Sequence, residues 1–233
     1  MSTNSSTTPE PAAGESPDEF RQVRYVAPPG ATTILLVRHG ASEPAHPDRP
    51  FPLRDGHGDP ALDPSGIRQS VQVGGRLAGE RIDAIYVTSL RRTHQTAQPL
   101  AAALGLTPVE LPELREVHLG EWEGGLVRVK AAALDPIWVR SRAEQRWDII
   151  PGAESHAAFT ERLRTGIELM VAAHPDGRIA AFVHGGVISH LLHLASGATP
   201  FGFVGAENGS ISELVILGDD WMVRRFNDTA HLG

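Results

Sequence analysis

Two short apolar runs in this chain, residues 32–37 and 179–183, lead directly into Arg38-His39-Gly40 and His184-Gly185-Gly186. A neutral imidazole has one unprotonated nitrogen, which can attack phosphorus and hold the phosphoryl group as phosphohistidine. Arg38 stands beside the first of these histidines, and a buried arginine without a partner is so costly that an anion should face it. Arginine's planar fork suits the paired oxygens of a phosphate. A further cation arrives in Thr88-Ser89-Leu90-Arg91-Arg92, where a strand-like run gives way to a helical one. The exposed N–H groups and dipole of a helix start favour an anion there. Phosphoryl transfer also needs a proton for the leaving oxygen. Glu116, in Leu114-Arg115-Glu116-Val117-His118-Leu119-Gly120-Glu121-Trp122-Glu123-Gly124, is the candidate general acid.

These groups can cooperate only if the chain delivers them to one edge. The two apolar runs are rich in β-branched or aromatic residues and too short for solitary helices, so they read as strands buried on both faces of a parallel sheet. In an open α/β sheet, ligands bind outside the carboxyl ends of the strands, and both histidines fall at such ends. Residues 41–59 are crowded with Pro, Asp, Arg and His and read as a loop. Asp63-Pro64 caps a helix extending to Ala78. Residues 82–87 read as a strand and 90–104 as a helix closed by Gly105. A short strand over 107–111 precedes an irregular stretch to Gly125, and residues 127–142 read as a helix. Phe159, Leu163, Ile167 and Met170 mark an amphipathic helix over 155–173. A helix over 187–195 comes after the second histidine. Residues 211–217 and 221–226, around Gly218-Asp219-Asp220, read as a closing hairpin. Strands alternating with helices give an α/β fold, a three-layer αβα domain with a mainly parallel central sheet and an antiparallel edge hairpin.

The chain has 233 residues, 41% of them hydrophobic, enough for one sizeable core. Residues 30–233 are expected to form a single catalytic domain, and residues 1–29, rich in Ser, Thr, Pro, Glu and Ala, a disordered tail. A net charge of -7 argues against nucleic-acid or anionic-membrane partners. There is no apolar run of about eighteen residues to span a bilayer. The absence of cysteine excludes disulfides and a cysteine nucleophile. Residues 1–29 lack the basic and apolar regions of a secretory signal, so a cytoplasmic protein is expected.

In this order and context, Arg38-His39-Gly40, the run Thr88-Ser89-Leu90-Arg91-Arg92-Thr93-His94-Gln95-Thr96-Ala97, the segment around Glu116 and His184-Gly185 resemble the motifs of the histidine phosphatase superfamily, which includes the phosphoglycerate mutases. The resemblance covers residues 32–226. It implies a phosphoglycerate mutase-like fold, with His39 as nucleophile, Glu116 as proton donor and His184 assisting catalysis. It also implies Arg38, Arg92, His184 and Asn208 as phosphate contacts, with Ser210 beside Asn208; family spacing selects Arg92 over Arg91. Neither a metal nor another cofactor is expected. Where members commonly carry a phosphate-contacting asparagine this chain has Ala45, and Ser42, Arg49 and Arg54 are the open substitutes.

Gly120-Glu121-Trp122-Glu123-Gly124 and Pro151-Gly152-Ala153-Glu154-Ser155 resemble the phosphatase branch, so the expectation is a metal-independent phosphomonoester hydrolase acting on a small phosphorylated metabolite. The alternatives are a cofactor-dependent phosphoglycerate mutase and a weakly catalytic module that binds phosphorylated ligands or a protein. His190 and His193, or His46, Asp48, Asp55, His57 and Asp59, have metal-ligand chemistry, but helix packing and a solvated loop are the expected roles. Arg128, Lys130, Arg140, Arg142 and Arg146 form either a solvated helix face or a basic rim above the phosphate site. Substrate choice is expected to lie in the loop over 41–59 and a cap over 127–150.

Overall fold

Strand β1 (Thr32–Arg38) is buried to Val37 because both faces are covered: Ile34 and Leu36 join one hydrophobic cluster, Leu35 and Val37 the other. The computed structural model describes residues 20–233. Residues 1–19 of the expected tail lie outside the described residues, and residues 20–29 contain no helix or strand. After β1 come β2 (Leu53–Arg54), β3 (His57–Gly58), α1 (Pro64–Leu77), β4 (Ala84–Val87), α2 (Arg91–Leu104) and β5 (Val109–Glu110). The chain continues through α3 (Leu126–Ala132), α4 (Pro136–Glu144), α5 (His156–Ala173), β6 (Arg178–Val183), α6 (Gly185–Ser196), β7 (Ile211–Leu217) and β8 (Asp220–Asp228).

The main sheet has the order β5-β4-β6-β1-β7-β8. The β1, β4, β5 and β6 pairings are parallel, while β7 runs antiparallel to β1 and forms the edge hairpin with β8. Val73, Leu77, Ala97 and Leu100 of α1 and α2 pack one face; Phe159, Leu163, Ile188 and Leu191 of α5 and α6 pack the other. The result is the expected three-layer arrangement. Each fully buried Leu, Ile or Phe side chain contributes roughly 1.5–3 kcal/mol, so a sheet clamped on both faces can hold charged groups at its edge.

Three local expectations are revised. Residues 41–59 are not all loop: Asp55 and Gly56, at φ 50° and 82°, turn β2 into β3, the kind of Asp-Gly hairpin whose twist suits paired strands. The single helix expected over 127–142 is two helices, because Asp135 accepts a 2.9 Å bond from the Ile137 amide and Pro136 opens a new helix. The helix expected from Val187 begins at Gly185, which makes His184 its N-cap.

Strand register assembles the site. Arg38 pairs with Val183, and the His39 amide donates to the Val183 carbonyl at 3.0 Å, so both histidines leave neighbouring strands at the same level. Val87 pairs with Phe182, bringing Thr88 to that edge. The chain moves outward from β1 through β4 to β5, then returns to β6 beside β1, the kind of reversal that opens a crevice. Gly40 serves helix packing: a Cβ there would lie 2.6 Å from the Gly66 carbonyl oxygen of α1.

Candidate active site

His39 is buried, and its Nδ1 lies 2.8 Å from the Gly40 carbonyl oxygen. A carbonyl only accepts, so Nδ1 carries the hydrogen and Nε2 keeps its lone pair. Burial, followed by the Arg92 and Arg38 charges, holds this imidazole well below its ordinary pKa and keeps it neutral. Asn208 donates to the His39 carbonyl at 2.9 Å, fixing the backbone beneath the ring.

His184 has no exposed surface, and its ring centroid is 5.2 Å from that of His39. Its Nε2 lies 3.0 Å from Thr88 Oγ1, while Nδ1 has no protein partner. Burial, then Arg92 and His39, push its pKa well below the usual histidine value. Two neutral imidazoles therefore meet at the ends of β1 and β6.

Guanidinium groups surround them. Arg38 donates through Nη1 to the Ala206 carbonyl, while its buried Nε is unpartnered. Arg92, in the first turn of α2, donates to the Gly58 carbonyl at 2.9 Å. Its pKa is lowered to about 10 by burial, against the opposing pull of Glu116 and Asp59. Arg128 reaches over from α3 to Glu43 O at 2.9 Å and Ser42 Oγ at 2.7 Å. None of these arginines forms an ion pair with a carboxylate among the described residues. A cavity of about 320 Å³ faces them, and the partly buried Arg38 and buried Arg92, with no carboxylate at ion-pair distance, make it a site for an anion.

Glu116 enters from the segment after β5. Its Oε1 accepts from the Val117 amide at 3.0 Å and its Oε2 from the Gly186 amide at 3.1 Å, at the start of α6. A Cβ on Gly186 would collide with Glu116 Oε1. His57 Nε2 lies 3.1 Å from the Glu116 carbonyl oxygen, to which Arg162 Nη2 also donates at 3.3 Å. Glu123 accepts from the amides of Gly58 at 2.7 Å and Leu119 at 2.8 Å, tying the β2-β3 hairpin to the same segment.

Arg38, His39, Arg92 and Glu116 thus line one cavity, with His184 buried beside His39. Asn208 does not line it; its amide serves the His39 backbone, and its side chain borders a neighbouring groove that shares Arg38. Of the substitutes considered for Ala45, Ser42 holds Arg128, whereas Arg49 and Arg54 are exposed away from the cavity. Sequence reasoning placed Arg128 only in a general basic rim and His57 in a loop. Spacing alone does not single out Arg128: neither it nor Lys130 has an acidic residue within four positions, although Lys130 pairs with Asp135, and Arg140 and Arg146 pair with Glu144 and Asp148.

Several of the residues with metal-ligand chemistry have other partners. Asp55 pairs with Arg115 at 3.0 Å, Asp59 accepts from the Arg91 amide at 2.7 Å, and His190 Nε2 meets Thr160 Oγ1 at 2.7 Å. Among the described residues, no group of three or more His, Asp or Glu side chains comes together to hold a metal ion. No described helix is long and apolar enough to cross a membrane.

The chain belongs to the histidine phosphatase superfamily (branch 1), whose family model matches residues 34–229. It is 32% identical over 204 residues to phosphoglycerate mutase-like protein 4 of Arabidopsis thaliana, covering 85% of this chain and 86% of that protein. With phosphoserine phosphatase 1 of Hydrogenobacter thermophilus it shares 26% identity over 202 residues, 86% of this chain and 94% of the other. A phosphoglycerate mutase structure from Bacillus anthracis has the same fold, with a TM-score of 0.73 at 20% identity over 88% of this chain and 96% of that one.

Proposed function

We propose that this protein hydrolyses phosphate monoesters without a metal, through a phosphohistidine on His39. The observation that carries this reading is the His39 Nδ1 to Gly40 hydrogen bond in a buried neutral ring. It leaves Nε2 as the nucleophile, beside guanidinium groups that have no ion-pair partner. The Nε2 lone pair forms an N–P bond as the ester P–O bond breaks. Glu116, protonated at this stage, gives its proton to the departing oxygen and releases an alcohol. Arg38 and Arg92 offset the charge on the transferring group. His184 adds a donor at Nδ1 in the tautomer whose Nε2 accepts from the Thr88 hydroxyl. In the second half, Glu116 takes a proton from water as that water attacks phosphorus, and the N–P bond breaks to restore His39.

The gathering of all these groups at one cavity favours chemistry over a binding-only role. The test is rapid quench of the wild-type protein with a radiolabelled monoester. Acid-labile, base-stable label, absent from His39→Ala, is expected. No label during measurable turnover, or full activity in His39→Ala, would overturn the mechanism. Primer-dependent conversion of 3-phosphoglycerate to 2-phosphoglycerate without phosphate release would replace hydrolysis with phosphoryl return.

A further inference from the structure

Beyond its charged groups and histidines, the cavity wall is apolar. It is built by Phe51 from the segment between β1 and α1, Trp122, Val127, Trp138 and Trp147 from the stretch between β5 and α5, and Val204 before β7. Three of the chain's four tryptophans therefore face one cavity. The Trp138 and Trp147 rings lie 6.4 Å apart at 44°, and Phe201 supports Trp147 from behind at 4.8 Å. Offset aromatic faces of this kind receive another flat ring favourably.

The polar side chains along this wall already have partners. Arg128 is bonded to Glu43 O and Ser42 Oγ, and its guanidinium carbon lies 5.5 Å from the Phe51 ring centre. Both Glu123 oxygens accept backbone N–H groups, and both His57 ring nitrogens face backbone carbonyls. Indole N–H groups aside, the lining contains no Ser, Thr, Asn, Gln, Tyr, Asp or Lys side chain. A leaving group with several hydroxyls would lose water without gaining partners. One with a carboxylate or a second phosphate would meet the Glu123 carboxylate, while Arg128, the cation on this wall, is solvent-exposed, so its attraction is screened.

We infer that the alcohol part of the substrate is aromatic and flat and carries no second anionic group. This rests on the hydrolase reading above and adds the substrate class. A cavity of about 320 Å³ is at the small end for a ligand site, enough for a phosphate and a compact ring system.

The test compares kcat/KM for 2-phenylethyl phosphate with the values for 3-phosphoglycerate, phosphoserine and glucose 6-phosphate. All four are esters of primary or similarly poor alkyl leaving groups, so activation of the leaving group does not create the preference. The aromatic ester is expected to lead by at least about 30-fold. Trp138→Ala should lower kcat/KM for 2-phenylethyl phosphate about tenfold more than for ethyl phosphate, with the difference in KM. Equal losses on the two esters would overturn the inference, as would any hydroxylated or doubly anionic ester that matches the aromatic one. Phosphate release from none of the esters would overturn the hydrolase reading instead.

Discussion

The ends of β1 and β6 carry the same side chain at the same level of the sheet and use it in opposite ways. His39 commits Nδ1 to Gly40 and leaves Nε2 unbonded; His184 commits Nε2 to Thr88 and leaves Nδ1 without a protein partner. The backbone immediately after each histidine accounts for the difference. Beyond His39 the chain turns across α1, with Gly40 against Gly66, and the ring lines the cavity. Beyond His184 the helix α6 starts at once; the residue takes the N-cap position with no side-chain cap bond, and its ring is anchored to Thr88 just past β4. For a histidine, the hydrogen bond made by one nitrogen decides what the other can do. The same residue type thus becomes a nucleophile at one strand end and a positioned donor at the other.

Removing each ring should separate those roles. His39→Ala deletes the atom that forms the bond to phosphorus, so turnover should fall about 10⁴-fold or more, with no labelled protein. His184→Ala deletes one stabilising donor and should cost about 10²- to 10³-fold while the protein still accumulates phosphohistidine. Phosphate release and rapid-quench labelling, run in parallel, read both effects. Equal losses with no label in either variant would break the distinction between the strand ends.

That distinction was only half legible in the sequence. Apolar runs ending in His-Gly marked two strand ends, because burial on both faces leaves a continuous hydrophobic signature. Which nitrogen each ring exposes depends on neighbours from other elements, and no spacing within residues 32–40 or 179–186 encodes Thr88. Arg128 was placed only within an undivided basic rim for a related reason: a short helix over a site has little apolar stripe to phase it, and no residue of α3 is buried. His57 stood in a stretch without apolar period, although Asp55-Gly56 was a readable turn signal. The Glu116 segment carried no periodicity at all. Its place in the site depended on resemblance and became a matter of geometry once Gly186 and Val117 were seen to hold both carboxylate oxygens.

The contrast between the strand ends sharpens at Glu116, because its Oε2 is held by the helix that His184 caps. Glu116→Gln should slow hydrolysis of an alkyl phosphate by about 100-fold or more and p-nitrophenyl phosphate less, since nitrophenolate departs with little help from an acid. Gly186→Ala should reproduce that pattern by driving a methyl group into Oε1. Alanine is the better helix former by about 1 kcal/mol. Lost activity with thermal stability retained would therefore point to the carboxylate and not to α6. If both substrates lose rate equally in Glu116→Gln, the residue holds structure or ligand, and Glu121 and Glu123 become the next acids to substitute.

The smallest expected effect concerns the charge state that the two histidines share. Both have folded-state pKa values below the ordinary one, with burial as the largest cause and Arg92 the next. As pH falls through about 6.5, the unfolded chain binds protons that the folded chain refuses. Stability is thus fully present above that pH and is lost progressively towards the depressed folded values. His57, which also lines the cavity, and His190, outside it and pushed to about 4, shift the same way, so a falling urea midpoint alone does not single out the two strand-end histidines. Sulfate can separate the cavity groups from His190. It remains a dianion across the window, and bound beside Arg38 and Arg92 it would favour the protonated rings of His39 and His184, raising their folded pKa. His190, bonded to Thr160 between α5 and α6, does not line the cavity and should not respond. The difference between urea midpoints at about pH 7.5 and about pH 5.5 should therefore narrow in sulfate relative to chloride of equal ionic strength. It should not close, because burial, the dominant cause, is unchanged by the anion. Sulfate's general stabilising effect raises both midpoints and leaves their difference in place. In Arg92→Gln the narrowing should shrink; a wild-type difference unaltered by sulfate would mean that the cavity histidines do not couple to a bound anion.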